Sequence, residues 1–217
     1  MSATIYYSRN PNPRLAVATA RYLNAPVDLV WAAPFDPSQS DFFRKLNPML
    51  RIPILVENGK SLWEADAIAC RLSQMVRSDF WRMDDEMPEL IRWISWGRAN
   101  FVQACDMVSF ELGTKLRYRI GPVDPEKEKE GREFFAETAA VLNDHLTGRD
   151  YLLESGISYA DFRMATFLPF NDVMNLPLAD FPGLSRWYDR LLDLPFWNDP
   201  FVGMNAPELP EIPQKNP

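Results

Sequence analysis

One histidine in 217 residues, and only two cysteines, remove several chemistries at the start. His145 alone offers no metal cluster and no Ser/His/Asp or Cys/His triad. It follows Leu142-Asn143-Asp144 near a helix end, where a capping or surface role is expected. Cys70 and Cys105 fall in segments that read as separate helices and are expected to be buried free thiols. Positive charge is also short. With 23 Lys and Arg against 30 Asp and Glu the net charge is −7, which argues against nucleic acid, because phosphate binding needs a basic face. No apolar run approaches the roughly twenty residues of a membrane span. Met1-Ser2-Ala3-Thr4 has neither a basic patch nor an apolar h-region, so no secretory signal is read and a cytoplasmic location is expected.

What the chain does have is aromatic mass, seven Trp and fourteen Phe, and a change of pattern partway along. The first third alternates strand and helix signals. Ala3 to Tyr7 reads as a strand. Ser8-Arg9-Asn10-Pro11-Asn12-Pro13 reads as a loop, with Asn12 capping a helix over Arg14 to Leu23. A strand over Val27 to Trp31 and a short helix over Ser40 to Leu46 follow. Ile54-Leu55-Val56-Glu57 and Lys60-Ser61-Leu62-Trp63 flank Asn58-Gly59, the strongest short hairpin signal. A helix then opens at Glu64-Ala65-Asp66 and runs to about Gln74. The order β-α-β-α-β-β-α implies parallel strands joined by helical crossovers, with the hairpin as an antiparallel edge. Beyond a polar connection, strand signals stop. Helices are expected over Pro88 to about Leu116, Asp124 to Leu146, Ile157 to about Met174 and Pro182 to Leu194. The fold class is therefore α/β plus all-α. The expected divisions are an α/β domain over 1–77, a linker over 78–87, a helical domain over 88–204 and an extended proline-rich tail over 205–217.

Two local motifs point to a ligand. Pro53, opening a strand after β-branched Ile52, is a candidate cis proline that would turn the Ile52 backbone outward to pair with an extended peptide; an ordinary trans proline at a strand start is the alternative. At Glu64-Ala65-Asp66, free helix N–H groups suit a carboxylate, while Glu64 or Asp66 suits an ammonium. A zwitterionic amino-acid end fits both. Acidic capping of a first turn is the simpler alternative.

In combination these segments resemble the glutathione transferase superfamily. Asn47-Pro48-x-x-Arg51-Ile52-Pro53-Ile54-Leu55, a hairpin, and Trp63-Glu64-Ala65-Asp66-Ala67-Ile68 are similar to that family's Asn-Pro-x-Gly-Lys-Val-Pro-x-Leu followed by Glu/Gln-Ser-x-Ala-Ile. In the second half, Gly156-Ile157-Ser158-Tyr159-Ala160-Asp161 looks like its capping-box segment. Phe181-Pro182-Gly183-Leu184-x-x-Trp187 looks like its Pro-x-Leu/Ile-x-x-Trp segment. The resemblance spans roughly residues 4 to 202. It implies a thioredoxin-like domain that binds glutathione as co-substrate, with no metal, followed by a helical bundle. Ile52 and Pro53 would meet the cysteinyl backbone, Glu64, Asp66 and the Ala65 N–H the γ-glutamyl end, and Arg51 a carboxylate or the loop. Two departures stand out. Ala65 replaces the family's Ser, removing a hydroxyl hydrogen bond of about 1 kcal/mol, and Leu50 replaces its Gly.

The family also places Tyr, Ser or Cys after the first strand to favour the glutathione thiolate. No cysteine occurs here, which disfavours cysteine-type mechanisms. Asn10-Pro11-Asn12-Pro13 looks most like the Thr-Pro-Asn-Gly loop of nu-class and related bacterial transferases, which implies thiolate contacts from the Asn10 and Asn12 amides. Ser8 is a second candidate, Tyr7 a third, and an inactive loop remains open. Trp96, Asn100 and Phe101, on an aromatic-rich helix, are expected to line a pocket for an apolar electrophile or disulfide. The resemblance further implies a homodimer, and detoxification chemistry by conjugation, disulfide reduction or peroxide reduction. The other reading is a non-catalytic binding or protein-interaction module of the same fold.

Overall fold

The computed structural model describes residues 3–213. The chain divides into two compact units: one runs to Trp81 and takes in Leu194–Glu208, the other comprises Arg82–Asp193 and the residues from Leu209.

The first unit is a four-stranded sheet in the order β2-β1-β3-β4, with β1 Ala3–Tyr7, β2 Asp28–Trp31, β3 Ile54–Glu57 and β4 Lys60–Trp63. Helices α1 (Pro11–Tyr22), α2 (Pro37–Leu46) and α3 (Ala65–Val76) accompany it. Only β1 and β2 are parallel; β3 already runs antiparallel to β1, so the antiparallel part begins one strand before the hairpin. Alternation along β1 sets the layers. Ala3, Ile5 and Tyr7 turn to one side, where they pack with Ala16, Val17 and Ala20 of α1 and Ile68 and Leu72 of α3. Tyr6 turns to the other, meeting Phe42 and Phe43 of α2 edge-on at 5.8 and 5.2 Å. Helix α1 begins at Pro11 rather than Arg14, and Asn10 rather than Asn12 is its N-cap residue. Both prolines fit because first-turn N–H groups lack helical partners anyway.

The second unit is helical: α4 Met87–Ala99, α5 Phe101–Ser109, a π-helical turn Phe110–Thr114, α6 Lys115–Tyr118, α7 Pro125–Leu146, α8 Tyr159–Met164, α9 Asn171–Met174 and α10 Pro182–Leu192. The single helix expected from Pro88 is broken at Asn100, whose backbone leaves the helical region (φ −130°, ψ −97°). Its side chain donates to the Trp96 carbonyl at 2.8 Å, an Asn-to-backbone bond that competes with the regular ladder. The helix expected to reach Met174 stops at Met164 because Pro169 can neither donate an N–H nor clear the carbonyl of Ala165. At the start of α8 the expected capping box forms between Ser158 and Asp161. Asp161 has no solvent exposure and accepts from the N–H of Leu152 (2.9 Å), the indole N–H of Trp187 (2.9 Å), and the N–H and hydroxyl of Ser158 (2.9 and 3.2 Å). Burial pushes this carboxyl toward its neutral form, and the four donors oppose it.

Residues from Leu194 differ most from expectation. Rather than closing the helical domain and trailing off, Leu194–Glu208, which includes the short α11 (Pro195–Asn198), packs within the first unit. Three arginines hold it there. Arg14 of α1 is buried, donates to the carbonyls of Trp197 and Asn198, and lies over the Trp197 ring. Arg21 donates to the carbonyls of Pro200 and Val202 and covers Phe196. Arg9 reaches Ala206 and Glu208. Phe201 and Ala206 join the apolar core of the sheet.

Candidate active site

Strand register brings the first unit's expected ligand residues to one end of the sheet. Tyr6, Ile54 and Trp63 form a single cross-strand row on β1, β3 and β4. Continuing each strand one residue past that row reaches Tyr7, Pro53 and Glu64, and one further reaches Ser8, Ile52 and Ala65. Neighbouring strands lie about 4.8 Å apart, so the row spans about 10 Å, and all three segments leave the sheet at that one end.

The Ile52-Pro53 and α3 segments are shaped by nearby residues. The Ile52-Pro53 bond is cis. Asn47, buried before it, staples the preceding loop, donating to the Arg51 carbonyl at 2.8 Å and accepting from the Met49 N–H at 3.0 Å. Leu50 stands at φ +54°, a left-handed backbone that favours glycine. Its side chain is buried with Ala32, Phe43 and Ile54, which offsets that strain. Glu64 is exposed, stands at φ +75° and caps α3 without a side-chain hydrogen bond to it. A non-glycine residue there carries about 1–3 kcal/mol of strain, which the surrounding structure must hold. Ala65 and Asp66 occupy the first turn of α3, whose N–H groups have no partners within the helix. Arg51 is exposed.

The loop after β1 rearranges the candidates for thiol contact. Tyr7 is core: it is 2% exposed, its ring stacks on Phe201 at 5.8 Å, and burial pushes its pKa up. Asn10 turns its amide inward, donating to the Ser8 hydroxyl oxygen from Nδ2 (3.1 Å) and from its backbone N–H (3.4 Å). Both lone pairs of that oxygen are then engaged, and among the described residues its own hydrogen meets no acceptor. A hydroxyl so placed is a donor. Asn12 is exposed in the first turn of α1.

Of the three residues expected to line an electrophile pocket, all in the second unit, Phe101 is corrected by the structure. Phe101 has no exposed surface and packs its ring against Phe135 at 5.5 Å, so it is core. Asn100 directs its amide to the Trp96 carbonyl, and half-buried Trp96 packs edge-on to Trp93 at 5.5 Å. His145 is also structural, with Nε2 2.9 Å from the Leu152 carbonyl and its ring 4.3 Å from that of Trp93. Both cysteines are free; Cys105 is buried and its thiol is pushed far above its usual range by burial. Among the described residues no three His, Cys, Asp or Glu side chains are grouped to hold a metal ion, and no helix is long and apolar enough to cross a membrane. Arg9, which no local motif marks, is the loop residue that sequence reasoning missed.

A small mixed sheet flanked by helices, with a cis-proline loop beside a helix N-terminus, defines the thioredoxin-like class of glutathione-binding folds. The family model for the glutathione S-transferase N-terminal domain matches residues 1–72, and that for the C-terminal domain matches residues 128–190. Together they cover more than half of the chain, which belongs to the glutathione S-transferase superfamily. Glutathione S-transferase D6 of Drosophila melanogaster is 24% identical over 202 residues, 88% of each chain. Among solved structures, glutathione S-transferase-I bound with lactoylglutathione superposes with a TM-score of 0.81 at 17% identity, covering 91% of this chain and 97% of that one. Ure2p in complex with glutathione gives 0.77 at 16% identity, covering 90% and 96%.

Proposed function

We propose that the protein is a glutathione transferase that holds glutathione at the Ile52-Pro53 loop and the α3 N-terminus and uses the Ser8 hydroxyl to stabilise its thiolate. The observation that supports this reading is the shared row. Ser8, Ile52 and Ala65 each lie two residues past one line of cross-strand partners, Tyr6, Ile54 and Trp63. A donor for sulfur, a strand-like backbone for the cysteinyl unit and helix N–H groups for the γ-glutamyl carboxylate are thereby adjacent, with Glu64 or Asp66 for its ammonium and Arg51 nearby for a carboxylate. Lowering a thiol pKa by about two units requires about 2.7 kcal/mol, within reach of a short O–H···S bond aided by the positive end of α1. Asn10 acts through Ser8 by occupying its lone pairs, and Asn12 is a second donor at the same helix start. The thiolate then attacks an electrophilic carbon, a disulfide or a peroxide. We take the working form to be a cytoplasmic homodimer; sedimentation of the purified protein checks the dimer and cell fractionation the location.

The test is a titration of thiolate ultraviolet absorbance of bound glutathione against pH. In the wild type the bound thiol pKa is expected about two units below that of free glutathione, and Ser8→Ala is expected to raise it by about one to two units. Asn10→Ala should raise it by less. Absence of binding at millimolar glutathione overturns the reading. Binding with an unshifted thiol favours instead the non-catalytic module, for which Ala65 in place of the family's Ser speaks.

A further inference from the structure

The geometry points to Arg9 as a positioning residue: clamped by the returning segment 201–208, it fixes the direction in which Ser8 presents its hydroxyl. The inference rests on the proposed role of Ser8 and concerns what holds it in place. The Arg9 guanidinium donates to the Ala206 carbonyl from both Nε (3.2 Å) and Nη2 (3.1 Å), pairs with Glu208 at 2.7 Å and lies 4.6 Å above the Phe201 ring. On the other side of Ser8, Tyr7 stacks on that same Phe201 ring. Residues 7 and 9 are therefore both anchored to one segment. Alternation in extended backbone sends the residue between them the opposite way, and the Ser8 oxygen indeed meets Asn10, not the segment.

The Arg9 contacts are made almost 200 residues away in the chain: the Ala206 bonds span 197 positions. They also lie on a residue that belongs to neither the Ile52-Pro53 loop nor the α3 N-terminus. A purely local loop needs no such tether. With the guanidinium removed, the Ser8 loop keeps its sequence and its Asn10 bond but loses the anchor on one side. Ser8 then samples orientations in which its hydrogen does not meet sulfur. The signature is a thiol pKa that rises while glutathione affinity holds, because affinity resides in the other two segments.

Thiolate titrations on the full chain decide this, using wild type, Arg9→Ala, Arg9→Lys, Glu208→Gln and Ser8→Ala. Arg9→Ala is expected to raise the bound thiol pKa by about one unit, a roughly tenfold loss of thiolate at lower pH, with glutathione Kd changed less than about threefold. On a Ser8→Ala background it should add nothing. Arg9→Lys keeps the charge without the forked contact and should recover no more than about half of the shift. Glu208→Gln leaves both Ala206 bonds in place and should leave the pKa where it is. Full recovery by lysine, or a fall in pKa with Glu208→Gln, would assign the effect to the charge itself and overturn the positioning role. An unshifted pKa in folded Arg9→Ala does the same. Should Arg9→Ala not fold, Phe201→Leu removes the ring under the guanidinium and carries the same expectation. If Ser8→Ala itself shifts nothing, the Ser8 reading fails and Arg9 falls with it; if Ser8→Ala shifts and Arg9→Ala does not, only Arg9 fails.

Discussion

Replacing Asp161 by Asn is nearly isosteric, yet the surroundings of this carboxylate predict a large loss of stability. Its two oxygens face donors only: the Leu152 N–H and the Trp187 indole on one, the N–H and hydroxyl of Ser158 on the other. An amide retains one acceptor and turns two hydrogens toward the remaining donors, and flipping it only exchanges which pair is opposed. If the amide oxygen keeps Leu152 and Trp187, the Ser158 N–H is buried facing another donor, since Asp161 and Ser158 have no solvent exposure. An unmade bond of this kind costs about 1–3 kcal/mol, and bonds to a charged acceptor are worth more than neutral ones. Asp161→Asn is therefore expected to cost about 2–4 kcal/mol. Asp161→Ala, which abandons three N–H donors at once, should cost about 3–6 kcal/mol on the same scale. Ser158→Ala removes one donor and the N-cap acceptor of α8 but leaves the residue-158 N–H bonded, for about 0.5–2 kcal/mol. Urea unfolding followed by tryptophan fluorescence reads these differences, with the Trp187 indole itself a reporter. A folded Asp161→Asn protein within about 0.5 kcal/mol of wild type would refute the reasoning, because it would mean the donors do not require two acceptor oxygens.

Leu50→Gly relieves a left-handed backbone worth about 1–2 kcal/mol but removes a buried side chain worth about 2–5 kcal/mol; the net expectation is a destabilisation of about 1–3 kcal/mol, read as a lower urea midpoint, and a stabilised variant would show that the Ala32, Phe43 and Ile54 contacts contribute little. Glu57 accepts two hydrogen bonds from Arg71 at 2.8 and 2.7 Å, which hold its carboxyl below the usual range. Because the folded pKa is the lower one, the pair's stabilisation is fully present above the unfolded value of about 4.3 and is lost as pH falls through the folded value. The partners are partly exposed, so the contribution is at most about 1 kcal/mol, and Glu57→Gln should flatten the melting-temperature profile between about pH 5 and 3 by that amount.

Local chemistry made most of the first unit legible. Asn58-Gly59 announced its hairpin and Pro13 a helix start, although Pro11 reads as loop and is the first helical residue. The cis-proline loop and the α3 N-terminus were readable for the same reason: each is a short run whose residue types suit one backbone shape. What was not readable depends on partners, most of them far along the chain. Tyr7 and Ser8 are adjacent and both plausible thiol ligands until Phe201 is seen to claim the tyrosine. Asn10 looks like a sulfur donor until Ser8 is seen to receive its amide. Phe101 reads as a pocket residue until Phe135, more than thirty positions on, is seen to pack against it. The seat of residues 194–208 has no local signal at all, because the carbonyls that Arg9, Arg14 and Arg21 meet lie 197, 183 and 179 positions along the chain.

Those three arginines also reverse the order in which the protein can be completed on the ribosome. All residues of the first unit up to Trp81 emerge early, but Arg14 and Arg21 meet their carbonyl partners only after residues 197–202 have been made, and Arg9 only after Ala206. At about 5–20 residues per second that delay is on the order of ten seconds. During it the stretch from Arg82 to Asp193 is synthesised whole. The half encoded first is thus closed only after residues 82–193 of the other have been made, and until then α1 waits with its arginine face uncovered, a nascent surface that chaperones or premature self-association can reach.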